Sequence, residues 1–245
     1  MAKILLINPN SNEAVTAGME EAVAPLRVPS GPDFEFRTLT GAPFNIASQT
    51  DVETVVLPLR ALVAERKDVD AFVIACYSDP GLAVCREATD APVLGIRECS
   101  VFSALTQADR FGVLALAPAS VRRQARAFRE MGVTERWVGS APLFMTCDQS
   151  EKAEAYATIE ATAEDLLDKG AEAIILGCAG MVRHRAPLQA ALGVPVVDPV
   201  QAATVQAVGL ALLRAAAAIA AAPTQISDAR AWSERARQQG SAKRQ

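Results

Sequence analysis

Short, β-branched apolar runs alternate along the chain with longer segments whose apolar residues recur at helical spacing. This alternation is typical of βαβ units and a mainly parallel sheet. Several runs are continuously apolar, as expected of strands that helices cover on both faces. Seven strands are predicted, with Trp137–Leu143 as a candidate eighth: Lys3–Asn8, Phe34–Leu39, Ala71–Ala75, Val93–Ile96, Phe111–Leu116, Ala173–Leu176 and Pro195–Val197.

Capping residues and glycines mark the predicted helix ends. Thr50–Glu53 has the capping-box pattern, and Pro58 interrupts the following helix or delays its start. Asp79-Pro80 fits an N-cap followed by proline at the first helical position. Three glycines that follow helical runs suit a left-handed C-cap: Gly132, Gly170 and Gly193.

An internal repeat relates the two halves of the chain. Asp70–Cys76 aligns with Glu172–Cys178, Ala91–Ile96 with Val194–Pro199, and Lys3–Asn8 with Phe111–Leu116. We therefore predict an α/β fold of two pseudo-symmetric, mainly parallel-sheet αβα domains, with the active site in the cleft between them. The first lobe comprises residues 1–98 plus about 205–245, and the second comprises residues 99–204.

Two cysteines occupy equivalent positions in this repeat. Cys76 and Cys178 each lie just past the carboxyl end of a strand, the edge at which open α/β sheets bind ligands. If the halves face one another, the two thiols flank one cleft. The following helix N-terminus favours thiolate over thiol. Free cysteine is more often a small buried hydrophobe, and Cys85, Cys99 and Cys147 are assigned that structural role.

Composition excludes several classes of function. The 245 residues have a net charge of -4 and no basic block, so nucleic-acid binding is disfavoured. No apolar run resembles a signal peptide or approaches a membrane span, so we predict a cytoplasmic protein without a membrane partner. Five cysteines without a C-x-x-C pair, and one histidine, favour chemistry without a metal or other cofactor. That histidine, His184, lies between two arginines and is predicted to be a solvated helix residue.

Three motifs resemble those of the aspartate/glutamate racemase superfamily and, within it, the hydantoin/allantoin racemase branch. They are Ile7–Ser11, Ala75–Leu82 and Leu176–Met181, and the resemblance spans roughly residues 2–215. It implies a two-domain α/β fold, no cofactor, and two cysteines that work as an acid/base pair. Members of the branch often have a threonine or serine at the end of the strand here written Val113–Pro118, where this chain has no hydroxyl before Ser120.

The resemblance also implies roles for individual residues. Cys76 and Cys178 would be the catalytic pair, and Asn8, Asn10 and Ser11 would line the cleft. A further group would bind substrate oxygens: Ser78, Asp79 and the turn of Gly177, Ala179, Gly180 and Met181. Aromatic Phe44 and Tyr77 are candidates to shape the pocket.

The sequence thus predicts a cofactor-independent racemase or epimerase that acts beside a carbonyl, on a small hydantoin-like substrate such as a 5-substituted hydantoin or allantoin. Three alternatives use the same scaffold: a maleate-type cis–trans isomerase with a nucleophilic cysteine, an aspartate or glutamate racemase, and a decarboxylase, which would typically retain one of the cysteines. A fourth is a non-catalytic two-lobed ligand-binding protein. A homo-oligomer is expected from the resemblance.

Overall fold

Two four-stranded sheets, each entirely parallel, form the framework of the computed structural model, which describes residues 1–221 and their side chains as far as residue 217. The first sheet has the order β2-β1-β3-β4, with β1 Lys3–Asn8, β2 Asp33–Thr38, β3 Ala71–Ile74 and β4 Val93–Gly95. The second has the order β6-β5-β7-β8, with β5 Phe111–Ala115, β6 Trp137–Pro142, β7 Ala173–Leu176 and β8 Val196–Val197. The repeat predicted from the sequence is therefore confirmed as a repeat of strand order.

Helices connect the strands and cover the sheets. Their bounds are α1 Glu13–Val23, α2 Gln49–Thr54, α3 Val56–Glu65, α4 Leu82–Arg86, α5 Ile96–Leu105, α6 Pro118–Glu130, α7 Cys147–Ser150, α8 Tyr156–Asp168, α9 Arg185–Leu192 and α10 Pro199–Ala221. A 3₁₀ helix, Ala179–His184, follows β7 directly. The predicted α/β class is confirmed, and all eight predicted strands form with ends within about one residue of those expected.

Burial explains why the central strands are continuously apolar. Residues Ile4–Ile7 of β1 and all of β7 have no exposed surface, because helices pack on both faces of each sheet. Register pairs Leu5 with Phe72 in the first sheet and Val113 with Ile175 in the second. In the repeat, Val113 corresponds to Leu5 and Ile174 to Phe72, so the register of the second sheet is shifted by one residue. In each sheet the residues that follow the parallel strands still emerge at one edge.

Two predicted helix starts are wrong. The capping box near residue 50 begins at Ser48, whose hydroxyl accepts from the Asp51 N–H while the Asp51 carboxylate accepts from the Ser48 N–H. Pro58 lies in the first turn of α3, where its missing N–H breaks no helical bond, so it delays that helix as predicted. The three predicted C-cap glycines have positive φ: Gly132 at 70°, Gly170 at 92° and Gly193 at 67°.

Asp79 is the second wrong helix start. The N-cap of α4 is Gly81, with φ at 66°, and Asp79 instead serves a different helix. Its two carboxylate oxygens accept from the N–H groups of Arg97 and Glu98, each at 3.0 Å, in the first turn of α5. Asp79 therefore caps the N-terminus of α5 although it is distant from that helix in sequence. It thereby joins the segment after β3 to the helix after β4.

The described part of α10, Pro199–Ala217, is long and apolar enough to cross a membrane by length and composition alone, which the sequence analysis did not find. A row of its small residues lies in the same core cluster as Ile4 and Leu6 of β1: Val200, Ala203, Ala207 and Ala211. One face of this stretch therefore packs into the core of the first sheet, while other apolar side chains of the helix, such as Val205 and Leu210, are exposed. The lobe boundaries stay a prediction, and the tail from Thr224, expected to be a surface helix ending in disorder, lies outside the described residues.

Close contact between β5 and β7 yields a test of the fold. A Cβ at Gly177 would lie 2.3 Å from the carbonyl oxygen of Leu114, so Gly177→Ala must push backbone apart. We expect a loss of roughly 1–3 kcal/mol in the free energy of unfolding, measured by urea titration. Gly18→Ala in α1, where a Cβ meets nothing within 4 Å, is the matched control and should be neutral or stabilising by up to about 1 kcal/mol. Equal effects of the two substitutions would contradict this account.

Candidate active site

A cavity of about 250 Å³ lies where strands of both sheets end. Its wall contains Ala75–Ser78 after β3 and Gly177–Ala179 after β7, so both repeat-related thiols, Cys76 and Cys178, line the same space. Asn10 after β1 and Leu116–Ala117 after β5 complete this part of the wall. The carboxyl ends of four parallel strands thereby surround one small-molecule site, as the topology predicts.

Three further segments close the cavity. They are the loop Asn45–Ala47, the α6 side chains Ser120, Arg123 and Gln124, and Met145–Cys147 at the start of α7. Arg97, Tyr77 and Val15 also contribute to the wall. The α6 side chains were not predicted from the sequence to belong to the site, and Cys147 was predicted to be structural, which its place in the wall corrects.

The structure brings together part of the predicted site. The residues that line the cavity are Cys76, Cys178, Asn10, Ser78, Gly177, Ala179 and the candidate aromatic Tyr77. The predicted residues that do not line it are Asn8, Ser11, Phe44, Asp79, Gly180 and Met181. Phe44 is 60% exposed, although the next three residues do face the cavity. Met181 is fully buried in the core of the second sheet, and Asp79 caps α5.

A relay of asparagines explains why Asn8 supports the site rather than lining it. The fully buried Asn8 amide donates to the Asn12 carbonyl at 2.9 Å, and its oxygen accepts from the Asn10 N–H at 3.2 Å. The Asn10 oxygen accepts from the Asn12 N–H, and the Asn12 side chain caps α1. Asn8 therefore holds the loop in the shape that presents Asn10 to the cavity.

Cys178 has the better-stabilised thiolate of the two repeat-related cysteines. Its sulfur accepts from the Gly180 N–H at 3.5 Å, at the start of the 3₁₀ helix, and lies 3.3 Å from the sulfur of Cys147. Hydrogen bonding from Cys147 lowers the pKa of Cys178, while the pKa of Cys147 is raised. Glu151, 3.9 Å from the Cys147 sulfur, opposes a negative charge on both sulfurs, but only Cys178 also accepts from the Gly180 N–H, so Cys178 is the favoured thiolate and Cys147 the favoured donor.

Cys76, in contrast, favours the protonated thiol. Burial raises the pKa of its thiol to about 11, against a smaller opposing effect from the Ser78 N–H. A negative charge on Cys178 raises the pKa of Cys76 further. When one of the two thiols is ionised, the thiolate is therefore favoured at Cys178 and the thiol at Cys76.

His184 is not the solvated residue that its arginine neighbours suggested. It is 3% exposed, and its Nε2 lies 2.9 Å from the Ser150 carbonyl oxygen, to which the ring donates. This bond joins the end of the 3₁₀ helix that follows Cys178 to the end of α7, which starts at Cys147. Burial lowers the pKa of His184, which favours the neutral ring. His184 thus helps to fix the distance between the two sulfurs.

Sequence reasoning missed Cys147 because nothing in the repeat corresponds to it. One signal was available: Cys147 follows β6 by five residues, and the rule that ligands bind at carboxyl ends of parallel strands applies to β6 as well. Within the described residues no group of three or more His, Cys, Asp or Glu is arranged to hold a metal ion.

Known proteins resemble this chain over most of its length. The family model for Asp/Glu/hydantoin racemase matches residues 4–207. A hydantoin racemase of Paenarthrobacter aurescens is 35% identical over 208 residues, covering 82% of this chain and 87% of the relative. One from Rhizobium meliloti is 36% identical over 224 residues, covering 84% and 88%. The solved structure of an allantoin racemase from Klebsiella pneumoniae superposes with a TM-score of 0.82 at 25% identity, covering 87% of this chain and 89% of that one.

The contact between Cys147 and Cys178 yields a test that needs no substrate. Replacing the donor in Cys147→Ala should raise the pKa of Cys178, and the pH midpoint of its alkylation by iodoacetamide should move upward. Mass spectrometry of peptides would follow Cys178 separately from Cys76. Cys147→Ser keeps a hydroxyl donor and should retain part of the effect. A midpoint that is the same in the wild-type protein and in Cys147→Ala would contradict the hydrogen bond.

Proposed function

This chain belongs to the Asp/Glu/hydantoin racemase family and is an isomerase of the racemase kind, and from that premise we propose that it inverts a carbon beside a carbonyl in a hydantoin-like substrate with Cys76 and Cys178 as acid and base. The observation that supports this most strongly is the placement of two thiols with opposite protonation tendencies in the wall of one cavity. Inversion needs one group to accept a proton and a second to supply one.

The proposed reaction proceeds through a planar carbanion. The Cys178 thiolate removes the proton from the stereocentre, so a C–H bond breaks, an S–H bond forms, and the electron pair moves into the adjacent carbonyl. The Cys76 thiol then delivers its proton to the opposite face. Cys178 ends as the thiol and Cys76 as the thiolate, which is the arrangement that accepts the mirror-image substrate. The roles of the two thiols thus exchange with the hand of the substrate.

The enolate oxygen formed in this step needs preorganised donors. Residues of the turns after β3 and β7 line the same wall as the sulfurs, and their backbone N–H groups, such as that of Ala179, are the candidate donors, with the Ser78 hydroxyl beside Cys76. These turns hold their donors in place because each follows a buried strand. We assign the carbonyl of the substrate to this region.

Substrate size and charge favour a hydantoin. The cavity, at about 250 Å³, lies just below the roughly 300–1,000 Å³ typical of ligand sites, so a small ring fits it better than an extended molecule. The C5 proton of a hydantoin lies beside a carbonyl and has no neighbouring ammonium or carboxylate charge to oppose carbanion formation. Two relatives named hydantoin racemase support the same choice.

The same proposal includes a cytoplasmic location, a homo-oligomer, and no nucleic-acid or membrane partner. These follow from the sequence analysis and the family.

Removing either thiol tests the mechanism. Cys76→Ser and Cys178→Ser should each lower racemisation in both directions by roughly 10²- to 10⁴-fold, measured as loss of optical rotation. Cys76→Ser retains the Cys178 base, so it should still exchange the C5 proton of one enantiomer with deuterated solvent, which proton NMR detects. Cys85→Ala, a buried cysteine away from the cavity, is the control and should keep its activity. Wild-type activity in either serine variant would refute the two-thiol mechanism.

A substrate panel tests the choice of substrate separately. Without added cofactor, the wild-type protein should abolish the optical rotation of 5-substituted hydantoins or allantoin and leave aspartate and glutamate unchanged. Activity on aspartate or glutamate alone would overturn the hydantoin assignment while leaving the two-thiol mechanism in place. A covalent succinyl adduct on Cys76 after incubation with maleate would favour a cis–trans isomerase instead.

A further inference from the structure

The cavity wall is cationic. None of its lining residues is aspartate or glutamate, whereas two are arginines, Arg97 and Arg123. Neither arginine has a part in the proton transfers proposed above. The positive charge at this wall therefore remains to be explained by what the cavity binds.

Arg97 is already paired. Its Nε lies 3.7 Å from the carboxylate of Asp79, whose side chain is 1% exposed, and one of its terminal nitrogens donates to the Ser78 carbonyl. Arg97 therefore contributes to the structure of the segment after β3, through Asp79 and Ser78. Its charge is balanced by a buried carboxylate.

Arg123 has no such partner. Its two terminal nitrogens donate to neutral acceptors, the Ala47 carbonyl at 3.0 Å and the Ser120 hydroxyl at 3.2 Å. The ion pairs among the described side chains do not include it. Its Nε is buried and has no hydrogen-bond partner in the protein. A guanidinium stays cationic at neutral pH. Asp51 interacts with this charge from a distance without forming an ion pair, so the wall contains a positive charge that has no direct carboxylate partner.

Other polar side-chain atoms without a hydrogen-bond partner belong to residues of the same cavity wall. Buried side-chain atoms without a protein partner are rare in folded proteins and call for an explanation. In the described part of this chain, most of them belong to residues that line this one cavity: Asn45 Oδ1, Tyr77 OH, Arg97 Nε, Arg123 Nε and Gln124 Oε1. Arg123 and Gln124 are adjacent on α6, opposite the loop that contains Asn45. This side of the cavity is therefore built for a polar group of a ligand.

We propose that Arg123 binds a carboxylate on the substrate's ring substituent, so that the enzyme prefers hydantoins with a short acidic side chain to those with an apolar or amide side chain. This rests on the proposed function. Carboxylates are the group that a guanidinium binds best, through charge and paired N–H donors. A short side chain fits because Arg123 and Cys76 line the same cavity of about 250 Å³, which leaves little room beyond the ring and a short substituent.

The experiment compares two nearly isosteric substrates, 5-(2-carboxyethyl)hydantoin and its neutral amide, 5-(2-carbamoylethyl)hydantoin. The wild-type protein should have the higher kcat/KM with the acid. In Arg123→Gln this preference should fall by roughly 10- to 100-fold, mainly through KM, while activity on the amide is largely kept. Arg123→Lys should recover part of the preference, because it restores the charge. Arg122→Gln, an exposed arginine of the same helix outside the cavity wall, is the matched control and should change neither substrate.

Two results would overturn the inference alone. Equal losses on both substrates, with a shifted pH profile, would mean that Arg123 serves the Cys76 thiolate rather than the substituent. Unchanged preference in Arg123→Gln would mean that it does not contact the substrate. Failure of the wild-type protein to racemise either hydantoin would reject the proposed function and this inference with it, which separates the two failures.

Discussion

Parallel pairing of β3 with β1, and of β7 with β5, determines where the reactive groups lie. The paired strands end at the same edge of their sheet, so the backbone N–H groups and side chains that follow them lie close together there. Because the two sheets have the same strand order, Cys76 and Cys178 occupy equivalent positions in the wall of one cavity. The contact of Gly177 with Leu114 shows how little space this arrangement allows. The chemistry of the thiols therefore depends first on backbone geometry.

The two halves differ in what surrounds each thiol. Around Cys178, a second sulfur and a backbone N–H favour the thiolate, and the bond from His184 to Ser150 holds that second sulfur in position. Around Cys76, burial favours the thiol. Asp79 stabilises the first half in another way, by capping α5 from the loop after β3. The repeat makes the two sheets alike. The residues that surround each thiol come from elements that differ between the halves, so the site itself is not symmetric.

Local patterns predicted the fold well, because buried parallel strands must be apolar along their whole length and helices must cover both faces. The same patterns could not predict contacts between residues distant in sequence. Cys147 meets Cys178 across 31 positions, and Asp79 caps a helix that starts 17 residues later, while its own sequence fits a cap for the adjacent helix. His184 has arginine on both sides and is nevertheless buried, since only the packing of α7 against the 3₁₀ helix decides its exposure.

The unequal thiols do not favour one product, because the two enantiomers of a substrate with a single stereocentre have equal free energies. The quotient kcat/KM must then be the same in both directions, whatever the pKa of each sulfur. Under the proposed two-thiol mechanism, the asymmetry sets the resting form of the enzyme: with Cys178 as thiolate and Cys76 as thiol, the proton of one enantiomer faces a base and the proton of the other faces an acid. A difference between the directions must therefore appear in kcat and KM together, in the same sense and by the same factor, so that their quotient is unchanged.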